Sequence, residues 1–183
     1  MNIEIKNVKF GPEALSRETL NFVAGIYVDG KKIGFASNDG DGGCTEFHTE
    51  PFGNETNRAI LKKAEEWAAS LPPIKAEYGS LNMSLDLWVD EKVNDIWNER
   101  EKARLAKKLD KLCQKSIVVY NETSGESRQT FWKNRTVDDL LKIPAGIEML
   151  KKALRELKPK LKEGEVIYNK NLAHLLAEIE KEK

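Results

Sequence analysis

The sequence predicts an α+β fold, on three observations. Apolar and polar residues alternate through the first third, helical periodicity takes over after residue 54, and strand-like runs return at residue 117. Alternation marks a half-buried strand because successive side chains point to opposite faces; a stripe at every third or fourth residue marks a helix. The expected arrangement is an N-terminal antiparallel sheet packed on a helix, then a long central helix, then a small C-terminal β-β-α-β-α unit. The change of character near Lys115 is the one candidate boundary, dividing residues 1–115 from 116–183.

The elements follow in order. Ile3–Phe10 reads as a strand whose alternation slips near Asn7, which implies a bulge. Within residues 20–28, Phe22, Ala24, Ile26 and Val28 share one face, and Val23 and Tyr27 the other. Asp29-Gly30 then predicts a type I′ hairpin turn, because both central positions of that turn need positive φ. Residues 33–37 form the return strand. Asn38, Asp39, Gly40, Asp41, Gly42 and Gly43 read as a flexible tip, and residues 44–48 as one more short strand. Ile60, Ala64, Trp67, Ala68 and Leu71 stripe a helix over 54–71, stopped by Pro72-Pro73.

Residues 84–115 form the longest helix, roughly 45 Å at 1.5 Å per residue. Leu85, Trp88, Val89, Val93, Ile96 and Trp97 give its first half a broad apolar face, while Leu105, Leu109 and Leu112 continue only as a seam. Such a seam resembles a helix–helix contact, so self-association or partner docking through helix 84–115 is expected. Strands over 117–120 and 129–132 flank a Ser124-Gly125 turn. Thr136 with Asp139 forms a capping box. Ile147, Leu150, Leu154 and Leu157 mark a helix ended by Pro159; residues 166–168 read as a strand, and Leu172, Leu175, Leu176 and Ile179 mark a closing helix.

Lys plus Arg and Asp plus Glu number 30 each, so the formal net charge is zero. Neutrality argues against a protein built mainly to hold polyphosphate and against whole-molecule mimicry of DNA; local patches stay open. No charged-then-apolar leader opens the chain, no apolar run is long enough to span a bilayer, and cysteines are few. A cytoplasmic protein without a membrane partner is expected.

The stretch "LSRETLNFVAGIYVDGKKIGFASNDGDGGCTEFH" carries Ser16, Glu18, Thr19, Tyr27 to Lys31, Ser37 to Gly40, Gly42, Gly43, Cys44 and His48. In these residues it resembles small proteins encoded in bacteriophage and prophage genomes, which share a "YVDGK…SNDGxGG" signature. Asp41 stands where a His would be expected in that tip. The resemblance covers about a fifth of the chain. It implies a phage-related origin, and hence the cytoplasm of a bacterial host, but no chemistry.

Candidate sites follow from residue type. The tip from Asn38 to Gly43 is either a plain hairpin connection or a recognition tip presenting Asp39 and Asp41; its spacing does not complete a calcium loop, and its carboxylates repel phosphate. Cys44, His48, Cys113 and His174 have zinc-ligating chemistry but not the paired spacing that zinc sites show, so no metal is assigned. No nucleophile motif surrounds either histidine, and no catalytic residue or cofactor is assigned. Arg100, Arg104, Lys107, Lys108 and Lys111 form a basic face, read either as a solvated helix surface with i,i+4 pairs or as a contact for nucleic acid. The solvated reading is preferred over the nucleic-acid one. Trp67, Trp88 and Trp97 belong to apolar stripes, leaving Trp132, beside Phe131, as the candidate for an exposed contact. Together these features point to a protein that acts by binding, in the phage context as a stoichiometric inhibitor of a host defence or nucleic-acid-processing system. A nucleotide or small-ligand binder and an unrecognised enzyme are the alternatives.

Overall fold

A computed structural model of the chain describes residues 1–76 and 79–181. It is α+β, as the periodicities predict, and divides into two compact units, Met1–Arg100 and Glu101–Lys183. The division falls inside the long helix α2 (Leu85–Lys115) rather than at its end. The cause is that α2 serves two cores. Leu85, Val89 and Val93 are buried in the first unit, Leu109 and Cys113 in the second.

In Met1–Arg100, strands β1 (Ile3–Phe10), β2 (Phe22–Val28), β3 (Lys31–Asn38) and β4 (Glu46–Thr49) form an antiparallel meander in sequence order. The β1–β2 register slips between Lys6 and Lys9, with Asn7 at φ 56°, which is the bulge expected from the broken alternation. Asp29 and Gly30 take φ 48° and 80°, as a type I′ turn requires. Phe22, Ala24, Ile26 and Val28 are all buried, while Val23 faces solvent. Helix α1 (Glu55–Ala69) starts where the Asn54 side chain accepts the Asn57 amide, and it buries Ala64 and Ala68. Between the helices lies a hairpin of β5 (Ile74–Ala76) and β6 (Gly79–Leu81), which no alternation in the sequence marks. Strands of three residues are too short for alternation to register.

In Glu101–Lys183, β7 (Ile117–Asn121) is the centre of a three-stranded antiparallel sheet, flanked by β8 (Ser127–Thr130) and β9 (Glu165–Ile167). Helices α3 (Val137–Leu140), α4 (Pro144–Leu157) and α5 (Ala173–Lys181) pack around Ile117, Val119, Leu150, Leu154, Leu172 and Leu175. The capping box forms: Thr136 accepts the Asp139 amide at 3.1 Å, and Asp139 accepts the Thr136 amide at 3.2 Å. Two expectations are corrected. The leucine seam is occupied within the unit, where Leu105, Leu109 and Leu112 pack with Val118, Tyr120 and Tyr168. A second helix is therefore not needed to cover it. Second, Trp132 packs against the core and Phe131 is the outward side chain, 76% exposed. The strand expected over 129–132 ends at Thr130, so both side chains lie beyond it, where Trp132 bridges to Arg135 and the larger apolar side chain is the one turned inward.

The two edge strands of this sheet are tied across β7. Arg128 on β8 donates Nε and Nη2 to the Glu165 carboxylate on β9 at 3.2 and 2.8 Å, and the Lys162 amide donates to the same carboxylate at 2.8 Å. The guanidinium hydrogen bonds and that amide hold the Glu165 carboxyl down at about 2, against an ordinary 4.5. A carboxylate depressed by folding stabilises the fold above its unfolded value, and that stabilisation disappears as pH falls through the folded value. Acidification from about 4.5 to 2 should therefore lower the urea midpoint of this unit more steeply in the wild type than in Glu165→Gln. Parallel midpoint–pH curves for the two proteins would show that the pair carries no linkage.

Candidate functional site

The tip between β3 and β4 is not the flexible loop its glycines suggest. A segment preceding β2 clasps it. The backbone amides of Arg17, Glu18 and Thr19 all donate to the Gly40 carbonyl, at 2.9, 3.0 and 3.3 Å. Asn38, only 5% exposed, organises the rest. Its Oδ1 accepts from the Thr19 hydroxyl at 2.8 Å and from the Gly40 amide at 2.9 Å; its Nδ2 donates to the Gly43 carbonyl at 2.9 Å and to Thr45 Oγ1 at 3.3 Å. Asn21 Nδ2 adds a bond to the Asp39 carbonyl at 2.8 Å. A loop tied at this many points has fewer alternative conformations than its glycines alone would allow. Gly40 is required here: it sits at φ 86°, and a Cβ would lie 2.1 Å from the Leu15 carbonyl oxygen.

The network continues to α2. The Thr45 hydroxyl donates to Asp90 Oδ1 at 2.5 Å. Burial pushes the Asp90 carboxyl above the usual carboxylate range, opposed by the Thr45 hydrogen bond and assisted by the charge of Asp86. Asp90 lines a groove of about 320 Å3 together with Ser16, Arg17, Thr19, Phe22 and Asn94. A second hollow of about 270 Å3 lies on the tip itself, between Asn38, Asp39, Asp41, Cys44 and Glu46. The charged groups around the tip are mainly carboxylates: Glu18, Asp39, Asp41 and Glu46 are exposed. Arg17 stands 3.6 Å from Asp41 in a solvent-exposed pair.

The structure therefore keeps Asn38, Asp39, Gly40, Asp41, Gly42 and Gly43 together, with Asp39, Asp41, Gly42 and Gly43 exposed and Asn38 and Gly40 buried beneath them, and adds residues the sequence did not single out as a site. Thr19, Thr45 and Asp90 are the additions, and Ser16 joins them by accepting the Asn21 amide at 2.9 Å.

The cysteines and histidines are not assembled. His48 stacks on Phe35 with ring centroids 4.8 Å apart, and Cys44 is exposed. Cys113 packs among Leu109 and Val118, where burial pushes its thiol up to about 11, far from a reactive thiolate. Among the described residues no cluster of three or more His, Cys, Asp or Glu side chains is placed to hold a metal ion.

The basic face splits. Arg100 belongs to Met1–Arg100 and is engaged there, donating to the Val8 carbonyl at 3.0 Å with its guanidinium 4.9 Å from the centre of the Phe10 ring. Arg104, Lys107, Lys108 and Lys111 belong to Glu101–Lys183 and are exposed. Among the described residues no helix is long and apolar enough to cross a membrane. Comparison with family models, with curated proteins and with solved structures finds no match for this chain.

Proposed function

We propose that the protein acts by binding, as a phage- or prophage-derived stoichiometric inhibitor of a host defence or nucleic-acid-processing complex in the bacterial cytoplasm, with the clasped tip as its contact. The observation that carries this reading is the preformed tip. Asp39 and Asp41 are exposed while the backbone beneath them is fixed by Asn38 and the Arg17–Thr19 amides. A contact loop ordered before binding loses little entropy on docking. Charge supports the same direction. Met1–Arg100 contains 17 Asp and Glu against 11 Lys and Arg. An acidic surface is steered towards basic nucleic-acid channels and away from acidic partners. The phage origin rests on the sequence resemblance.

Expression in hosts carrying defined defence systems tests the proposal. Protection should scale with the ratio of this protein to its target. The double variant Asp39→Ala, Asp41→Ala should lose protection at unchanged melting temperature, since exposed substitutions of this kind shift stability by no more than about 0.5 kcal/mol. Protection at strongly substoichiometric amounts, or full protection by the double variant, would overturn the proposal.

A further inference from the structure

The neutral total conceals two opposite charges. Glu101–Lys183 contains 19 Lys and Arg against 13 Asp and Glu, an excess of six positive, and Met1–Arg100 carries the matching negative excess. The argument from neutrality against polyphosphate binding therefore does not apply to the second unit. Within that unit the positive charge is organised. Arg104, Lys107, Lys108, Lys111 and Lys115 recur at steps of three and four along α2, so they share one helical face. All of them are exposed. The opposite face of the same turns, Leu105, Leu109, Leu112 and Cys113, is the one that packs inward.

Two bland accounts of this stripe fall short. A solvated face laced with ion pairs would show carboxylates interleaved with the lysines. Only Arg104 has such a partner, Glu101 at 3.4 Å; among the described residues Lys107, Lys108, Lys111 and Lys115 enter no ion pair. The helix dipole favours cations at the C-terminal end, but its effect fades beyond the last turn. It accounts for Lys115 and leaves Arg104, Lys107 and Lys108 unexplained. Like charges crowded on one face repel one another, and the partner that relieves this is a polyanion.

We propose that Glu101–Lys183 binds the phosphodiester backbone of nucleic acid through the stripe Arg104, Lys107, Lys108, Lys111 and Lys115. From Arg104 to Lys115 the stripe is roughly 16 Å long at the helical rise, about five phosphate steps along one strand of a duplex. Backbone contact of this kind fixes position without reading sequence, so the binding is sequence-independent. It stands apart from the acidic tip, on different residues of a different unit, and holds or fails independently of the inhibitor reading.

Fluorescence anisotropy of the full chain with a labelled 20-base-pair duplex and a labelled 20-nucleotide single strand tests it, between 50 and 200 mM NaCl. Each phosphate contact contributes about −0.9 to the slope of log K against log salt for a duplex and about −0.7 for a single strand. Engagement of all five side chains gives slopes of about −4.5 and −3.5. The triple variant Lys107→Gln, Lys108→Gln, Lys111→Gln should flatten the duplex slope to about −1.8 and weaken binding at 50 mM salt by tenfold or more. Glutamine keeps helix propensity close to that of lysine, and circular dichroism confirms the fold. The corresponding Lys→Arg triple variant should bind as the wild type does. Removing three exposed lysines from the other unit, with Lys31→Gln, Lys62→Gln and Lys63→Gln, should leave both slopes unchanged. Three results would overturn the proposal: no binding at 50 mM salt, equal loss from the two glutamine triple variants, or binding to anionic phospholipid vesicles without binding to either oligonucleotide.

Discussion

Asn169→Ala is expected to destabilise Glu101–Lys183 by about 3 kcal/mol, on the scale of buried polar groups stripped of their partners. Asn169 is 2% exposed and holds the end of α2 to the sheet. Its Oδ1 accepts the Val118 amide at 2.6 Å, and its Nδ2 donates to the Ser116 carbonyl at 2.9 Å and the Cys113 carbonyl at 3.1 Å. Carbonyls in the last turn of a helix have no intrahelical partner, so this side chain supplies what the helix cannot. Alanine leaves the Val118 amide and the Ser116 carbonyl buried without it. The Cys113 carbonyl keeps a bond from Asn171 at 3.2 Å, which limits the loss. Hydrogen exchange read by mass spectrometry checks both size and place. Peptides spanning 117–121 and 165–172 should exchange faster, while those spanning 22–38 keep their protection. An unchanged denaturation midpoint, or protection lost equally across both units, would refute this role.

How much of this was legible in the sequence depends on the range over which each interaction acts. The first hairpin was readable because Asp29-Gly30 states its turn chemistry locally, and the β1 bulge because alternation breaks within a few residues of Asn7. The Thr136–Asp139 box spans one helical turn and was equally visible. Interactions that close over longer distances were not. Leu105, Leu109 and Leu112 showed a seam but not its partner, since Tyr168 lies more than fifty residues further on. Asn38 stands out in the sequence only as part of the glycine tip, and nothing local marks Asn169; only the folded chain shows that each is buried at the centre of a polar network in its unit. The candidate site was half legible for the same reason. The tip was singled out by its glycines, while the clasp over it joins residues about twenty apart. The charge partition is a different case: it is present in the composition, but a single total over the chain cancels it.

Asn38→Ala should destabilise Met1–Arg100 by about 3 kcal/mol and abolish the action of the tip, effects that the Asp39→Ala, Asp41→Ala double variant separates. Alanine removes the acceptor for the Gly40 amide and the Thr19 hydroxyl, and the donor to the Gly43 carbonyl and Thr45 Oγ1. Water can reach part of the exposed tip, so the loss is well below the sum of isolated desolvation penalties. Asn38→Asp is the sharper probe. It keeps the acceptor side and places a carboxylate oxygen against the Gly43 carbonyl, so it should destabilise by a similar amount despite its equal size. The Thr19 bond can be isolated by a double-mutant cycle. If Asn38 acts through the clasp, Asn38→Ala and Thr19→Val together should cost less than the sum of the two alone, with a coupling of about 1 kcal/mol. Independent, additive losses would mean that the asparagine merely fills space. Thermal denaturation followed by the fluorescence of Trp67, Trp88 and Trp97, all in this unit, reads each variant. Asp39→Ala, Asp41→Ala should melt with the wild type while Asn38→Ala melts several degrees lower, because the carboxylates are carried by the clasp and contribute nothing to holding it closed.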